Sequence, residues 1–335
     1  KETSQTQETP LTLAALQHSY DLRIVDTTRK QQIDLTQVAK QLKNADVIFI
    51  GEYHGNNAAH WLQAQLQYLL YQQRPQQILS MEQFTRNEQP QVDQYLTGKI
   101  GEQELIDNTE AWSNYKASYR PLVEFAKLHH LPVIAANAPA DIVRCVGQQG
   151  QDYIKTLNDE QKQYIAKQPF YYESAYLEKF SGVMHIGRED TQNNHAENKA
   201  LTPSNSFYAQ ILRDNSMAQA IADAYQRYPN HQIIHINGAF HSDSFLGTVS
   251  SLKHRLPNLK IAVLSPIQHP LLQDISVDKP LLTQGQYVYY IADVPVDYLN
   301  TKNRMTAMQK MMERAKEKAQ SCVSTLSSSP MTQPS

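Results

Sequence analysis

Carboxylates, imidazoles and other polar groups follow several short apolar runs of this sequence, at the point where each run ends. The run at residues 47–51 leads directly into Glu52 and His54, and later runs end in the same manner. The polar residues at these ends are Glu52, His54, Glu82, Arg86, Asn137 and His241. Because ligands of open α/β sheets bind outside the carboxyl ends of the strands, we expect these side chains to line one pocket.

Such a set of side chains is suited to two kinds of chemistry. Carboxylates and imidazoles act as general acids and bases, and they also bind hard or borderline metal ions. A single buried polar residue is more often a satisfied structural group, whereas acids and imidazoles that converge from several strands are typical of functional clefts. The chain has no G-x-S-x-G, H-E-x-x-H, Walker or G-x-G-x-x-G motif. We therefore assign no catalytic or metal-binding residue. A hydrolase or metalloenzyme that uses Glu52, His54, Glu82 and His241 remains the alternative.

A tyrosine-rich stretch raises a different possibility. The segment FYYESAYLEKF places Tyr172 and Tyr176 four residues apart, which predicts one helical face, and His185 follows. A tyrosine phenolate in apolar surroundings is an axial ligand of ferric haem. The alternative is that these tyrosines only cover the sheet, with their hydroxyls in water. Tyr172, Tyr176 and His185 are our candidates for cofactor binding, and Tyr171 and Tyr53 come next.

Composition excludes several classes of protein. There are 31 basic and 33 acidic residues, so charge gives no reason to expect nucleic acid as a partner. The two cysteines, Cys145 and Cys322, are too few and too far apart for a thiolate metal site, and they are either free or paired. No run of 18 apolar residues exists that could span a membrane.

The apolar runs alternate with helical patterns, which is typical of a parallel sheet covered on both faces. We predict strands at residues 47–51, 78–82, 132–136, 232–236, 260–264 and 287–292, and an edge or ribbon strand at 20–26. Helices are predicted from Asn57 as an N-cap, over residues 120–130 and over 215–228. The predicted fold class is α/β, doubly wound, with a mainly parallel sheet and a helical insertion.

The domain prediction follows from the same pattern. Residues 1–15 are predicted as a flexible linker, 16–320 as a single α/β domain and 321–335 as a disordered tail. A helical insertion is expected at about 151–206, since the gap there is much longer than one crossover helix needs. A further helix over 303–320 carries Met305, Met308 and Met312 at helical spacing, and such a stripe usually packs into a core.

Five segments in order resemble a known family, the ChaN-like haem-binding lipoproteins. ADVIFIGEYHGNNAAHWLQ resembles its G-E-x-H-x-x-x-x-x-H pattern, and SMEQFTRNEQPQVDQYLTGKI resembles its M-E-x-F block. SYRPLVEFAKLHHLPVIAANAP, RDNSMAQAI and INGAFH are similar to the later elements. A frequent pair of adjacent histidines in the family is Ala59-His60 here, and we give His60 no role.

The resemblance implies a bacterial cell-envelope protein, lipid-anchored, with the outer membrane as the expected site, facing the periplasm or the exterior. It also implies haem as cofactor, held by a tyrosine, with a possible homodimer that encloses two stacked haems and with haem-transport components as partners. The membrane contact would be through the lipid anchor only. We therefore expect a haem-binding protein for haem or iron acquisition rather than an enzyme. The wider relatives of this family, erythromycin esterases and Tiki proteases, are hydrolases and keep the catalytic alternative open.

Overall fold

The computed structural model describes residues 10–186 and 201–324 of the chain. Its strands are β1 (Thr12–Leu13), β2 (Leu22–Asp26), β3 (Gln31–Ile33), β4 (Val47–Glu52), β5 (Gln77–Thr85), β6 (Val133–Asn137), β7 (Gln232–Gly238), β8 (Ile261–His269), β9 (Ile275–Ser276) and β10 (Tyr287–Ala292). Its α-helices are α1 (Leu35–Gln41), α2 (Asn57–Gln73), α3 (Gln89–Leu96), α4 (Glu102–Asp107), α5 (Arg120–Leu128), α6 (Ala140–Gln149), α7 (Asp159–Lys162), α8 (Ser174–Ile186), α9 (Asn205–Arg227), α10 (Thr248–Arg255) and α11 (Thr301–Ser324).

The large sheet is mainly parallel, with strand order β3-β2-β10-β8-β4-β7-β5-β6. The strands from β10 to β6 run parallel to their neighbours, while β2 pairs antiparallel with both β10 and β3. The six predicted strands are all present within a few residues of their predicted bounds, and the early strand lies in an antiparallel ribbon at one edge. The predicted α/β fold class is confirmed.

Helices cover both faces of the sheet, and the central strand β4 is buried and apolar from Val47 to Ile50. In β4, Ile48 and Ile50 join the core with α1, α2 and α5, whereas Val47 and Phe49 face α9 and α10. Successive side chains of a strand point to opposite faces, so one uniformly apolar run fills two cores. The sequence therefore fixes β4 as a central strand with helices on either side.

Helix starts follow ordinary capping chemistry. The side chain of Asn56, one residue earlier than predicted, caps α2 by accepting from the Ala59 N–H. Pro121 lies in the first turn of α5, as expected, and Ser204 caps α9 well before the predicted start. Within the expected insertion, the described residues contain a 3-10 turn (Gln151–Thr156), α7, α8 and the start of α9.

The ends of the predicted domain need correction. Thr12 and Leu13 form β1, which pairs with β9, and Leu13 is buried, so the predicted linker does not extend that far. At the other end, α11 continues to Ser324, and Cys322 forms a disulfide with Cys145 of α6. The cysteines are thus paired, and the predicted tail does not begin at residue 321.

The methionine stripe of α11 is also different from the prediction. Met305 is 64% exposed and Met308 and Met312 are exposed to a similar extent, so they are not in a core. Near its end the helix is joined to α6, where Gln149 Nε2 donates to the Cys322 carbonyl at 3.0 Å beside the disulfide. In the part of the chain that the structure describes, no helix has the length and apolar character needed to cross a membrane.

Candidate functional site

The carboxyl ends of β4, β7 and β5 lie side by side and bring polar residues to one rim. Glu52 at the end of β4 lies opposite Gly238 at the end of β7. Glu82 lies in β5, on the other side of β7, and His241 lies in the 3-10 turn Ala239–His241 that follows β7. Because neighbouring parallel strands end at one edge, residues that are distant in sequence come together there.

Glu52 is buried and receives hydrogen bonds on both carboxylate oxygens. Oε1 accepts from Gln83 Nε2 at 2.8 Å and from Tyr119 OH at 2.7 Å. Oε2 accepts from Gln63 Nε2 at 3.3 Å, and His60 Nδ1 lies 3.0 Å from it. A buried carboxylate is tolerated when its lone pairs are satisfied in this way, so Glu52 is a structural hub of the rim.

His60, to which the sequence analysis gave no role, has a defined tautomer in this hub. Its Nε2 accepts from the Gly55 N–H at 3.1 Å, which places the ring proton on Nδ1, between Glu52 and Gln63 Oε1. Gly55 has a φ of +78°, a conformation that favours glycine. The signal in the sequence was the i, i+3 spacing of His60 and Gln63 on the buried face of α2.

Tyr119 approaches Glu52 from a π-helical turn, Tyr115–Tyr119, which leads into α5. Burial, the charge of Glu52 and their hydrogen bond together raise the pKa of the Tyr119 phenol well above its usual value. The phenol is therefore a permanent donor. Its ring also packs against His60 and Trp112, at 5.1 and 5.8 Å between ring centroids. Single π-turns of this kind are frequent at functional sites.

His54 is the half-exposed member of the group. Its Nδ1 lies 3.3 Å from Glu52 Oε1, and its ring packs edge-on against Trp112. Burial alone would lower the pKa of His54, but the hydrogen bond and charge of Glu52 and the charge of Glu82 outweigh it and raise the pKa. Since Nδ1 is engaged by Glu52, Nε2 is the nitrogen that a ligand can reach.

A second buried network joins Glu82, His241 and Asp214. His241 Nδ1 lies 2.7 Å from Asp214 Oδ1, and its Nε2 lies 3.4 Å from Glu82 Oε1. Burial opposes charge on the ring, but the two carboxylates raise the pKa of His241 to about 10. Burial also opposes charge on Glu82, yet His241 and the Gly238 N–H lower the pKa of that carboxyl to about 2. The ring is an imidazolium held between two carboxylates.

Asp214 was not singled out from the sequence, although it lies in a segment that carried the resemblance. Its Oδ1 accepts from Thr248 Oγ1 and its Oδ2 from Tyr176 OH, each at 2.8 Å. Asp214 is therefore satisfied from α10 and α8 as well as by His241. In the sequence Asp214 looks like an ordinary helical aspartate, and only its partners in the folded chain distinguish it.

The two tyrosines predicted as haem ligands occupy different environments. Tyr172 precedes α8, so the expected shared helical face with Tyr176 is wrong; its ring packs edge-on against Phe207 at 5.0 Å. Tyr176 is 1% exposed and its hydroxyl is bonded to Asp214. Burial and the charge of Asp214 raise the pKa of Tyr176 well above its usual value. The side chain of His185 lies outside the described part of the chain.

The side chains of two further predicted pocket residues do not line the cavity described below. Arg86 points toward α9, where its guanidinium lies 3.3 Å from Asp223 and 3.4 Å from the Ser216 carbonyl. Asn137 is buried, donates to the Glu82 carbonyl and accepts from the Ala138 N–H. Arg86 follows β5 and Asn137 is the last residue of β6, and their side chains bind α9 and the neighbouring backbone.

A cavity of about 370 Å³ opens above the two networks. One wall is apolar and comes from α8 and from the turn after β7, and the floor is polar. The lining residues are Glu52, Tyr53, His54, Phe180, Val183, Met184, Gln210, Gly238, Ala239, Phe240 and His241. Such a combination of an apolar wall and a few convergent polar groups is typical of a ligand pocket.

Tyr53 is the tyrosine that lines this cavity. It is 37% exposed, and burial and the charge of Asp243 raise the pKa of its phenol. Lys179 contacts Phe240, which lines the cavity, and its Nζ donates to the Phe240 and Asp243 carbonyls at 3.1 and 3.3 Å. Burial in turn raises the pKa of Asp243 to about 6, although Lys179 opposes the shift. The pocket thus offers a phenol and an imidazole, and an ammonium group is bonded to the backbone of one of its lining residues.

A metal centre of protein side chains is not present in the described residues. Nowhere in residues 10–186 and 201–324 do three or more His, Cys, Asp or Glu side chains group in a manner that could hold a metal ion. The carboxylates at the rim are instead used as hydrogen-bond acceptors.

Comparison with known proteins identifies a family for most of the chain. Residues 38–252 match the family described as haem-binding uptake proteins of the Tiki superfamily, ChaN. This range contains both networks and every residue that lines the cavity. No curated protein matches the chain.

A solved structure supports the same architecture. The chain is similar to ChaN of Campylobacter jejuni, from a study of cofacial heme binding, with a TM-score of 0.58 and 17% identity over 82% of this chain and 98% of that one. A mutant of the erythromycin esterase EreC in its open conformation is less similar, with a TM-score of 0.45 and 10% identity over 75% and 78% of the two chains. At 17% identity, the similarity to ChaN of Campylobacter jejuni supports the fold alone.

The imidazolium of His241 makes stability depend on pH. Its pKa is higher in the folded than in the unfolded chain, so the contribution is complete below about pH 6.5 and is lost as the pH rises toward 10. We expect the unfolding free energy of the wild type to fall over this range relative to His241→Gln, by at most about 1.4 kcal/mol per pH unit. Urea unfolding at four pH values measures it, and parallel curves for the two proteins would contradict the assignment.

Gly238 leaves the space that His54 occupies. A Cβ at this position would lie 2.9 Å from His54 Cε1, so Gly238→Ala must displace the ring. We expect loss of the contact with Glu52, a lower pKa of His54 by NMR titration and a stability loss of about 1 kcal/mol. Gly182→Ala is the matched control, because a Cβ there meets no atom of the described residues within 4 Å. An unchanged titration of His54 in Gly238→Ala would show that the ring is not held as described.

Proposed function

Because the chain belongs to the ChaN family of haem-binding uptake proteins within the Tiki superfamily, we propose that it binds haem in the cavity between α8 and the ends of β4 and β7. The observation that carries this proposal is the composition of the cavity. Phe180, Val183 and Met184 of α8 offer an apolar wall to a macrocycle, and Tyr53 and His54 offer donors to its iron.

Tyr53 is the proposed ligand of the ferric iron. It lines the cavity, whereas the hydroxyl of Tyr176 is used by Asp214 in the interior. The raised pKa of Tyr53 means that its phenol is protonated when the pocket is empty, so ligation as phenolate releases one proton. Haem affinity should therefore increase with pH in the neutral range.

His54 and Lys179 complete the proposed site. The engagement of His54 Nδ1 by Glu52 fixes the ring and directs Nε2 to the cavity, in the manner in which outer partners orient metal-bound histidines. Lys179, whose ammonium lies over the Phe240 ring at 4.2 Å, is placed to meet a propionate carboxylate. Haem supplies an iron that accepts these donors, and the protein supplies their orientation.

The hydrolase alternative is less well supported by the same geometry. A general base at neutral pH needs a lone pair and a pKa near the working pH. The pKa of Glu82 is about 2 and that of His241 about 10, so neither is matched to that task. Glu52 has both oxygens engaged by buried donors. We therefore do not propose a catalytic role for this cluster.

The substitution Tyr53→Phe tests the haem site directly. We expect it to lower the affinity for ferric haem by at least about tenfold and to remove the tyrosinate absorption, because the iron loses its anionic ligand. Wild-type affinity should also rise with pH, by up to tenfold per unit, and this slope should be lost in the variant. The measurement is a spectrophotometric haem titration at several pH values.

Two control variants make that titration specific. Tyr20→Phe changes a tyrosine that is 56% exposed and outside the cavity, and should leave binding unchanged. Tyr176→Phe should lower stability, because Asp214 loses a donor, but retain the haem spectrum. A normal spectrum in Tyr53→Phe together with its loss in Tyr176→Phe would overturn the assignment of Tyr53 in favour of Tyr176.

A role in haem or iron acquisition at the bacterial cell envelope is the wider proposal, with a lipid anchor, haem-transport partners and a homodimer. The Cys145–Cys322 disulfide supports an oxidising compartment, since such bonds persist outside the cytosol. The family name supports uptake.

The dimer is the part of this wider proposal that the purified protein can test. We expect the mass measured by light scattering to double when one equivalent of ferric haem per chain is added, because two half-covered macrocycles would bury each other's exposed faces. Apoprotein treated with buffer is the control. A monomeric mass at full haem occupancy would contradict the dimer.

A further inference from the structure

A second cavity lies at the edge of the sheet, apart from the pocket described above. Its volume is about 630 Å³, and the two cavities have no lining residue in common. One side of it is formed by β6, the last strand in the order of the sheet, over residues 133–135. Side chains of α3 and of the second half of α9 also line it. Clefts of this size commonly hold small-molecule ligands.

The strand edge in this sheet-edge cavity is already occupied by a side chain of α3. The amide of Gln89 donates to the Val133 carbonyl and accepts from the Ala135 N–H, each at 2.8 Å. These backbone groups are the ones through which another strand would pair with β6. Gln89 therefore closes the edge against an added peptide strand, and the cavity suits a compact ligand instead.

Arg86 brings a largely buried guanidinium to this cavity. Its side chain is only 16% exposed, and its Nη2 lies 3.3 Å from Asp223 Oδ2. Its Nη1 lies 3.4 Å from the carbonyl oxygen of Ser216. Both distances are longer than is usual for a hydrogen bond, and a guanidinium has five N–H donors. Within the described part of the chain, Arg86 therefore retains donors for a further acceptor in the cavity.

The hydrogen-bond network around Arg86 carries one excess positive charge. Asp223 Oδ1 accepts from Gln219 Nε2 at 2.8 Å, and Gln219 Oε1 accepts from Arg255 Nε at 3.4 Å. Burial lowers the pKa of both arginines, and the charge of Asp223 opposes this shift in each. One carboxylate thus balances two guanidinium groups that are partly withdrawn from water. An anion in the cavity would stabilise the excess charge.

The remaining lining combines two more cations with apolar surface. The Lys127 ammonium lies 3.9 Å from the centre of the Tyr95 ring, and the Arg227 guanidinium lies 5.3 Å from that of Tyr228. Asp93 is the second acidic side chain of the lining, so three lysines and arginines face two aspartates. Most of the other lining residues are apolar and come from β6, α9 and the segment before β6. A ligand that suits this cavity has a negative charge and an apolar body.

We propose that the sheet-edge cavity binds a small organic anion, a carboxylate carried on an apolar ring or chain, and that Arg86 pairs with the carboxylate. The guanidinium fork matches a carboxylate and forms charge-assisted hydrogen bonds with it. Leu131, Ile134 and Ala224 line the cavity and contact the apolar body of the ligand. The proposal does not depend on the haem site, because the two cavities have separate linings.

The test is isothermal titration calorimetry of the full chain with 2-naphthoate, and with 2-naphthamide as the uncharged analogue of the same shape. We expect 2-naphthoate to bind with a Kd on the order of 0.1 mM, as is usual for a ligand of its size. The amide should bind at least about tenfold more weakly, because it lacks the charge that pairs with Arg86. Arg86→Gln should reduce the affinity for 2-naphthoate by a similar factor. Arg304→Gln is the matched control, since Arg304 is exposed on α11 and outside the cavity.

A second variant, Asp223→Asn, has the opposite expected effect. The Asp223 side chain is 52% exposed, so the fold tolerates the change, and Arg86 loses the carboxylate that competes with a ligand. We expect the affinity for 2-naphthoate to rise by roughly threefold. Asp152→Asn makes the same change at a side chain that is 76% exposed and outside the cavity, and it should have no effect.

Three results would overturn the proposed anion site. The first is equal affinity of the wild type for the acid and the amide, or no binding of either. The second is unchanged binding of 2-naphthoate in both Arg86→Gln and Asp223→Asn; if Arg86→Gln does not fold, Asp223→Asn alone decides. The third is displacement of 2-naphthoate by ferric haem, because the anion would then occupy the other cavity. Absence of haem binding by the wild type would overturn only the proposed function.

Discussion

The buried carboxylate of Glu52 is the interaction on which the rim of this protein depends. An ionised carboxylate without partners is among the most costly groups to bury. At the end of a central strand it therefore needs hydrogen-bond donors from the elements around it. α2 supplies His60 and Gln63, β5 supplies Gln83, and the turn before α5 supplies Tyr119. Each donor also fixes the element that carries it. The carboxylate thereby sets the positions of α2, β5 and α5 relative to β4.

The second network adds a constraint of charge. Glu82 and Asp214 share a single imidazolium, His241, so this network carries one excess negative charge beside Glu52. The floor of the cavity is therefore anionic. An anionic group of a bound ligand is repelled from that floor and drawn to the edge, where Lys179 lies over Phe240. In the proposed haem complex, the propionates would lie toward this edge and the apolar ring against α8.

The sequence was sufficient for the fold because strand patterning is local. Runs such as residues 47–51 are apolar at every position, which specifies a central parallel strand without any knowledge of its neighbours, and strand order then brings Glu52, Glu82 and His241 together. The partners of these residues were less predictable. Asp214 looks like any helical aspartate until α9 packs beside the turn after β7.

The expected common helical face of Tyr172 and Tyr176 was wrong for a related reason, since spacing does not show where a helix begins or which way a hydroxyl faces. Tyr172 and Tyr176 suggested a common face, but α8 begins after Tyr172 and Tyr176 turns inward to Asp214. The exposure of the methionines in α11 also could not be predicted from their spacing in the sequence. A stripe at helical spacing predicts an apolar face, and only the tertiary structure shows whether that face is covered.

The three residues after Gly51 explain how one strand end serves both structure and binding. Glu52 is the last residue of β4 and remains in the interior, where its oxygens are satisfied. The backbone then leaves the sheet and turns at Gly55, whose left-handed conformation returns its N–H to His60. Tyr53 and His54 are thus carried past the sheet into the cavity, while their backbone is anchored on both sides. His54 is further held by the same carboxylate that organises the rim, so the rigidity of the buried hub is transmitted to a donor that a ligand can reach.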